Sequence, residues 1–470
     1  MKIKSPLRPL GLLLAFGLVA TVAAGSKRPN VLMICIDDLR PVLGCYGANE
    51  VLSPNLDRLA GQAVVFNNAY CNVPVCGASR ASLMTSIRPD PTRFKTYLSK
   101  AETDTPGSKS IAQLFKENGY YTLSNGKVFH HPDDLDEESW SEPAWRPKTE
   151  QGQTFNPENE GLVHPRFNWG VWREAGLAED DAYFDGQVMN KTLEDLRKLA
   201  EKDQPFFLAA GFFKPHLPLN APAKYFENYD PEQLTLAANR EPVENAPKSL
   251  NGSVEIKYYH HKGVELNSEE FHQKTIEAYY ACVTFVDALV GQILDELERL
   301  KLADDTIIVV WGDHGWNLGE HNYWGKHNLL RNATRIPFMI KAPGYDAGVH
   351  TDNLAELVDL LPTLCELADI DTGAIRNQIH GNSLVPSLQN PNGPGEDYIV
   401  TKFRNGDQIV TSRYSYTEYR LKDGSVENML FDHEKDPNED VNIAALPEYA
   451  PVVKKLSEKL EPYTGEISYQ

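Results

Sequence analysis

The chain has 470 residues, 41% of them hydrophobic, and a formal net charge of −20. That length and apolar content support a globular protein with a substantial core, in more than one domain or in one large domain with a lobe. The acidic balance argues against non-specific binding to nucleic acid or to an anionic membrane, though it leaves room for one local basic pocket.

Lys2, Lys4 and Arg8 precede an apolar stretch at 10–20, and Val22-Ala23-Ala24 precede Gly25. This is the layout of a cleavable secretory signal over residues 1–24. The stretch is short for a membrane span, so no anchor is expected once the signal is removed. The expected destination is periplasmic or secreted, with a lysosomal equivalent only in an animal host. Six cysteines, Cys35, Cys45, Cys71, Cys76, Cys282 and Cys365, are sparse for an exported chain and show no paired spacing. Cys35 and Cys282 read as small buried hydrophobes, and a Cys45–Cys71 pairing stays open.

From residue 29 to about 370, short apolar runs alternate with helical stretches. The runs at 31–36, 206–212 and 306–311 are rich in apolar and β-branched residues and read as buried parallel strands. Helices over 110–118 and 276–300 precede strands at 120–123 and at 306, which gives βαβ units and a mostly parallel sheet across residues 25–385. Two polar stretches, 133–173 and 229–265, read as long surface excursions that build a substrate rim. Among their residues Trp140, Trp145, Arg146, Trp169 and Trp172 are candidates for choosing the substrate, on composition only. A passage rich in Pro, Gly and Asn at 381–395 ends the pattern. Residues 386–470 then read as a smaller lobe, with antiparallel strands at 398–400, 408–410 and 414–421, turns at Asn405-Gly406 and Asp423-Gly424, and a closing helix at 452–460.

Asp37 and Asp38 directly follow the first run, Asp313 and His314 the last, and Lys214-Pro215-His216 the middle one. In open α/β sheets the ligand crevice lies beyond the carboxyl ends of the strands, so these residues land on one rim. Three aspartates crowded together raise one another's pKa unless a counter-charge is present, which points to a divalent cation. Oxygen ligands favour a hard ion, calcium or magnesium. Cys76-Gly77-Ala78-Ser79-Arg80 opens a helix whose free N–H groups attract anions, and Arg80 lies one turn on. A soft thiolate is a poor companion for hard carboxylates and their ion, so Cys76 calls for a different chemistry. Taken singly, Asp37-Asp38 also fit a turn and helix cap, His216 a surface loop, and Lys127 and Lys326 solvated lysines.

The string Cys76-Gly77-Ala78-Ser79-Arg80 resembles the signature of the formylglycine-dependent sulfatases, Cys-x-Pro/Ala-x-Arg. Further strings in order, Asp37-Asp38-Leu39-Arg40-Pro41, Gly44-Cys45-Tyr46-Gly47, Gly126-Lys127-Val128-Phe129-His130, Lys214-Pro215-His216 and Asp313-His314-Gly315-Trp316, place the resemblance nearest iduronate-2-sulfatase-like members. It implies an alkaline-phosphatase-like α/β fold, a mixed but mostly parallel sheet between helices with a C-terminal antiparallel lobe. It implies that a formylglycine-generating maturation enzyme oxidises Cys76, and that Asp37, Asp38, Asp313 and His314 ligate Ca2+ beside the modified residue. Imidazole is the weakest match to a hard ion in that set. Lys127 and Arg80 resemble the residues that stabilise the formylglycine hydroxyl, and His130 the base that later deprotonates it. His216 and Lys326 resemble the pair that contacts sulfate and protonates the departing alcohol.

The resulting expectation is an exported hydrolase of a sulfated carbohydrate, with uronate 2-O-sulfate in a glycosaminoglycan as the first choice. Sulfated rhamnose, fucose or galactose of an algal polysaccharide is the alternative substrate. The rival classes are a phosphatase or phosphodiesterase of the same superfamily, which would use Ser or Thr with two zinc ions, and a non-catalytic sulfated-glycan binder, which would lack Cys76 and His130.

Overall fold

A computed structural model describes residues 28–465, so the signal-like segment 1–24 lies outside the described residues. Eight strands form the central sheet: β1 (Asn30–Ile36), β2 (Val64–Tyr70), β3 (Tyr121–Gly126), β4 (Phe206–Phe212), β5 (Thr306–Gly312), β6 (Arg335–Ile336), β7 (Phe338–Lys341) and β8 (Val349–Glu356). They lie in the order β6-β2-β7-β5-β1-β4-β3, with β8 alongside β2. All but β6 and β7 run in one direction.

Every residue of β1, β4 and β5 is buried, as the continuous apolar runs require of strands covered on both faces. Alternate residues of β1 serve opposite layers. Val31, Met33 and Cys35 pack in one core cluster with α1 (Cys76–Thr85), α2 (Ile111–Glu117) and α5 (Leu360–Leu367). Leu32, Ile34 and Ile36 pack in the other with α3 (Phe184–Ala200) and α4 (Glu269–Arg299). The sheet is therefore sandwiched by helices, the architecture expected from the alternating pattern.

The C-terminal sheet has four antiparallel strands, β9 (Ile399–Phe403), β10 (Gly406–Val410), β11 (Tyr414–Arg420) and β12 (Val426–Asp432). Phe403, Tyr419, Met429 and Phe431 join the core of the large sheet. Ile409, Tyr416 and Leu430 instead pack beneath α6 (Ala450–Leu460) through Leu456 and Leu460.

Several elements differ from the sequence expectation. Helix α4 begins at Glu269 rather than 276, where the Ser268 side chain accepts the Phe271 N–H. It is the one described helix apolar and long enough to cross a membrane, and 83% of that window is buried as a core helix. Strand β3 continues through Ser124, Asn125 and Gly126, because the Asn125 amide donates to Asp195 (3.0 Å) inside the protein. The hairpin tip falls on Arg404-Asn405, one residue before the expected Asn405-Gly406, since Gly406 already pairs with Phe403. Strands β2, β6, β7, β8 and β12 have no counterpart in the sequence reading. All six cysteines are free, so Cys45 and Cys71 are not joined.

Backbone contact between two glycines sets the edge of the sheet that matters most. Gly126 (φ +79°) lies against Gly211, and the Lys127 N–H donates to the Gly211 carbonyl at 2.8 Å. A Cβ on Gly211 would fall 2.2 Å from the Lys127 carbonyl carbon and oxygen. Gly211→Ala is therefore expected to cost about 1–3 kcal/mol of stability through backbone displacement. Urea unfolding measures it, and an unchanged midpoint would show that the two strand ends are not held at that spacing.

Candidate active site

Four neighbouring parallel strands, β3, β4, β1 and β5, end on the same rim, and each delivers chemistry immediately after its last residue. Ile36 is in register with Phe212 on one side and Gly312 on the other, so Asp37 and Asp313 emerge side by side. Lys127 follows β3, and Lys214 and His216 follow β4. Cys76 is the first residue of α1 and points into the same place, with Arg80 one turn further along. Lys326 arrives from the connection between β5 and β6.

The carboxylates are tied together through named donors. The Asp38 N–H donates to Asp313 Oδ1 at 3.1 Å. Arg80 Nε donates to Asp313 Oδ2 at 2.9 Å, while its Nη1 donates to the Lys127 and Val128 carbonyls and its Nη2 lies 3.8 Å from Asp37 Oδ1. Lys127 Nζ donates to Asp37 Oδ2, and Lys326 Nζ donates to both oxygens of Asp38 at 2.8 and 3.0 Å. Cys76 Sγ sits 3.4 Å from Asp37 Oδ1 and 3.1 Å from His314 Nε2. His216 Nε2 is 4.0 Å from Asp38 Oδ2. Asp37, Asp38, Asp313, Cys76, Arg80, Lys127, His216, His314 and Lys326, all singled out from the sequence, thus meet in one site.

His130 stands somewhat apart. Its Nδ1 is buried without a hydrogen-bond partner, and its ring packs edge-on against Tyr97 and His131. Burial, with the Lys127 charge beside it, pushes the imidazole down to about 2, so the ring is neutral.

Electrostatics separate the acids. Burial would raise Asp37, but Lys127, His216, Arg80 and Lys326 hold it well below the usual carboxylate range. Burial pushes Asp38 well above that range, and Asp37, Glu255 and Asp313 add to the push against Lys326. Burial and the Asp37 charge likewise raise the Cys76 thiol. A thiol held protonated is a poor nucleophile, so the encoded side chain does not suit this position as it stands.

The donor set fits a divalent cation. Asp37, Cys76, Asp313 and His314 each offer one atom, and those atoms all lie within 4.8 Å of one another. Asp38 carries more negative surroundings than Lys326 alone offsets, which is the condition a bound cation relieves. In that group of four Asp37 and Asp313 offer hard oxygens and His314 a softer nitrogen, while Asp38, 3.4 Å from His314 Nε2, clusters instead with Cys76 and His216.

Several contributors were not legible in the sequence. Glu255, on a short 3-10 turn within the 229–265 excursion, lies 3.4 Å from Lys326 Nζ and 3.6 Å from His216 Nε2. Asp185 accepts the N–H groups of Phe213 (2.6 Å) and Lys214 (2.8 Å) and so anchors the loop that carries His216. Ser79 and Tyr279 donate to the carbonyls of Asp313 and Asp38, both at 2.6 Å. Of the residues proposed to choose substrate, Trp140 and Trp172 are buried packing residues, and the Trp172 indole N–H is spent on Thr275 (3.2 Å). Arg146 braces the loop beneath His130 by donating to the Phe129 and His130 carbonyls. Trp169 remains half exposed.

Comparison with known proteins agrees with this arrangement. The sulfatase family model matches residues 29–370, and the model for the C-terminal part of N-sulphoglucosamine sulphohydrolase matches residues 319–465. An iduronate 2-sulfatase from Mus musculus is 36% identical over 73% of this chain and 69% of its own length. A sulfatase from Formosa agariphila is 34% identical over 89% of this chain and 83% of its own. Among solved structures, a 2-O GAG sulfatase superposes with a TM-score of 0.71 at 23% identity, covering 93% of this chain and 92% of that one. A phosphonate monoester hydrolase from Agrobacterium radiobacter superposes at 0.73 with 22% identity, covering 92% and 95%, and shares the fold. The chain belongs to the sulfatase family, among its iduronate-2-sulfatase-like members, and is a sulfuric ester hydrolase.

Proposed function

We propose that this enzyme is exported and removes a 2-O-sulfate from a uronic acid of a glycosaminoglycan or a related acidic polysaccharide, using a formylglycine made from Cys76. The observation that carries the reading is a buried sulfur placed 3.4 Å from Asp37 and 3.1 Å from His314, where a hard oxygen nucleophile would match its neighbours. Oxidation of Cys76 by a formylglycine-generating enzyme replaces sulfur with a hydrated aldehyde. Asp37, Asp38, Asp313 and His314 would hold a calcium ion, whose positive charge would favour an oxygen nucleophile and an anionic substrate there. The substrate choice is supported by the likeness to the mouse iduronate 2-sulfatase. Export rests on the charge and hydropathy layout of residues 1–24.

The side chains have separable tasks. Lys127 and Arg80 hold the oxygen at position 76 and oppose the charge of the incoming sulfate. His130 is assigned the proton from the second hydroxyl at that position, so that sulfate leaves and the aldehyde returns. His216 and Lys326 contact the sulfate and deliver a proton to the departing sugar oxygen, because an alkoxide is a poor leaving group.

Cys76→Ala is expected to lower sulfate release to below about one thousandth of the parent rate while retaining cooperative unfolding. Mass spectrometry of the parent peptide containing residue 76 should find an aldehyde. Substantial turnover by the variant, or a thiol in a fully active preparation, would contradict the nucleophile. Across a panel of sulfated sugars, kcat/KM should be highest on 2-O-sulfated uronate, and a preference for sulfated rhamnose, fucose or galactose would reassign the substrate.

A further inference from the structure

A second concavity of about 560 Å3 opens beside the site just described, and its walls share main chain with it. On one side the segment 253–257 acts as a partition. Glu255 turns towards Lys326 and His216, whereas Ser253, Val254, Ile256 and Lys257 line the concavity. On the other side His327 lines it directly after Lys326, the residue that holds Asp38. The far wall is the tip of the first C-terminal hairpin, where Arg404 projects.

The charge of this concavity runs against that of the protein. The chain carries −20 overall, yet no Asp or Glu is among the lining residues, and Lys257 and Arg404 both face in. Among the described residues neither cation has a carboxylate within ion-pair distance. Arg404 is nonetheless held in place: it adopts φ +55° at the hairpin tip, and its guanidinium lies 5.0 Å over the Phe403 ring. The His327 imidazole stacks against the same ring at 5.8 Å, with planes 3° apart. Phe403 thus supports two lining residues at once. The remainder of the wall offers side-chain amides and aromatic faces, including Asn251, Asn322 and Trp324. Hydroxyl-rich rings with an acidic substituent need this combination of amide partners, apolar faces and cations.

We propose that this concavity binds the sugar residue adjoining the one that loses sulfate, with Arg404 and Lys257 gripping that neighbour's acidic group, a carboxylate or a sulfate ester. The inference rests on the reading of the enzyme as a sulfatase of acidic polysaccharide and adds the subsite that selects a chain over a single sugar. Volume and position suit it: about 560 Å3 exceeds what one pyranose ring needs and falls within the ordinary range of ligand pockets. The Glu255 partition separates the adjoining residue from the reacting sulfate, so each anion meets its own pair of cations.

Binding to the catalytically silent Cys76→Ala protein tests this directly by calorimetry. The probes are a disaccharide of 2-O-sulfated uronate joined to a sulfated residue, its analogue with a carboxylate on the neighbour, and its analogue with neither group. Adding Arg404→Ala should weaken the two disaccharides with an acidic neighbour about tenfold and leave the analogue with an uncharged neighbour within about twofold. Arg404→Lys should recover part of the loss. In the otherwise unmodified enzyme, Arg404→Ala should raise KM for the acidic disaccharides with little change in kcat, so their advantage over a simple aryl sulfate falls by the same factor. Equal affinity of the Arg404→Ala protein for all three probes as in its parent, or an equal loss on all three, overturns the subsite. Failure of the underlying reading looks different: the parent enzyme would release no sulfate from any of these sugars.

Discussion

Charge balance at the carboxyl ends of four parallel strands governs this molecule. Asp37, Asp38 and Asp313 are fully buried, and bare carboxylates cannot be taken from water without large cost unless cations accompany them. Arg80, Lys127 and Lys326 are the partners the chain provides, themselves almost fully buried. With Glu255 counted, four carboxylates face those three cations. The remaining imbalance falls on Asp38, whose carboxyl is pushed upward. A bound divalent ion would offset that imbalance and leave the site's cations available to a sulfate ester.

Much of the fold serves to hold these groups at fixed spacing. The register of β1 between β4 and β5 puts Asp37 and Asp313 together, and Arg80 ties the pair to the chain beyond β3 through two carbonyls. The second ring of contacts is mostly neutral: the Ser79 and Tyr279 hydroxyls on backbone carbonyls, and Asp185 on two N–H groups. These partners lie on helices rather than on free loops, so the backbone they hold is anchored to the helical layers. The proposed neighbouring-sugar subsite is lined instead by the 229–265 excursion and the C-terminal hairpin, which lie outside the central sheet.

Legibility in the sequence followed how local each signal is. Strands β1, β4 and β5 are unbroken apolar runs, and an acid immediately after such a run is visible without any structure. The Cys76 to Arg80 string is equally local. Strand β2 was missed because Asn67 and Asn68 interrupt its apolar pattern, and β7 because Pro337 isolates a four-residue strand. Lys326 has no distinguishing neighbours and was placed through family resemblance alone. Glu255 lies in a weakly periodic stretch, and only the fold brings it to Lys326 and His216. Composition misled at Trp140 and Trp172, since an aromatic in a polar stretch serves the core as readily as a sugar.

The claim that the aspartate cluster is built for a divalent cation is tested most directly by thermal unfolding during a calcium titration of the metal-free protein. A ligand bound only by the folded state stabilises it by about 2.7 kcal/mol at one hundred times its Kd. The account predicts a saturable rise in Tm with calcium that Asp313→Asn abolishes. A Tm that stays flat with both calcium and magnesium, or a rise that Asp313→Asn leaves intact, would contradict it.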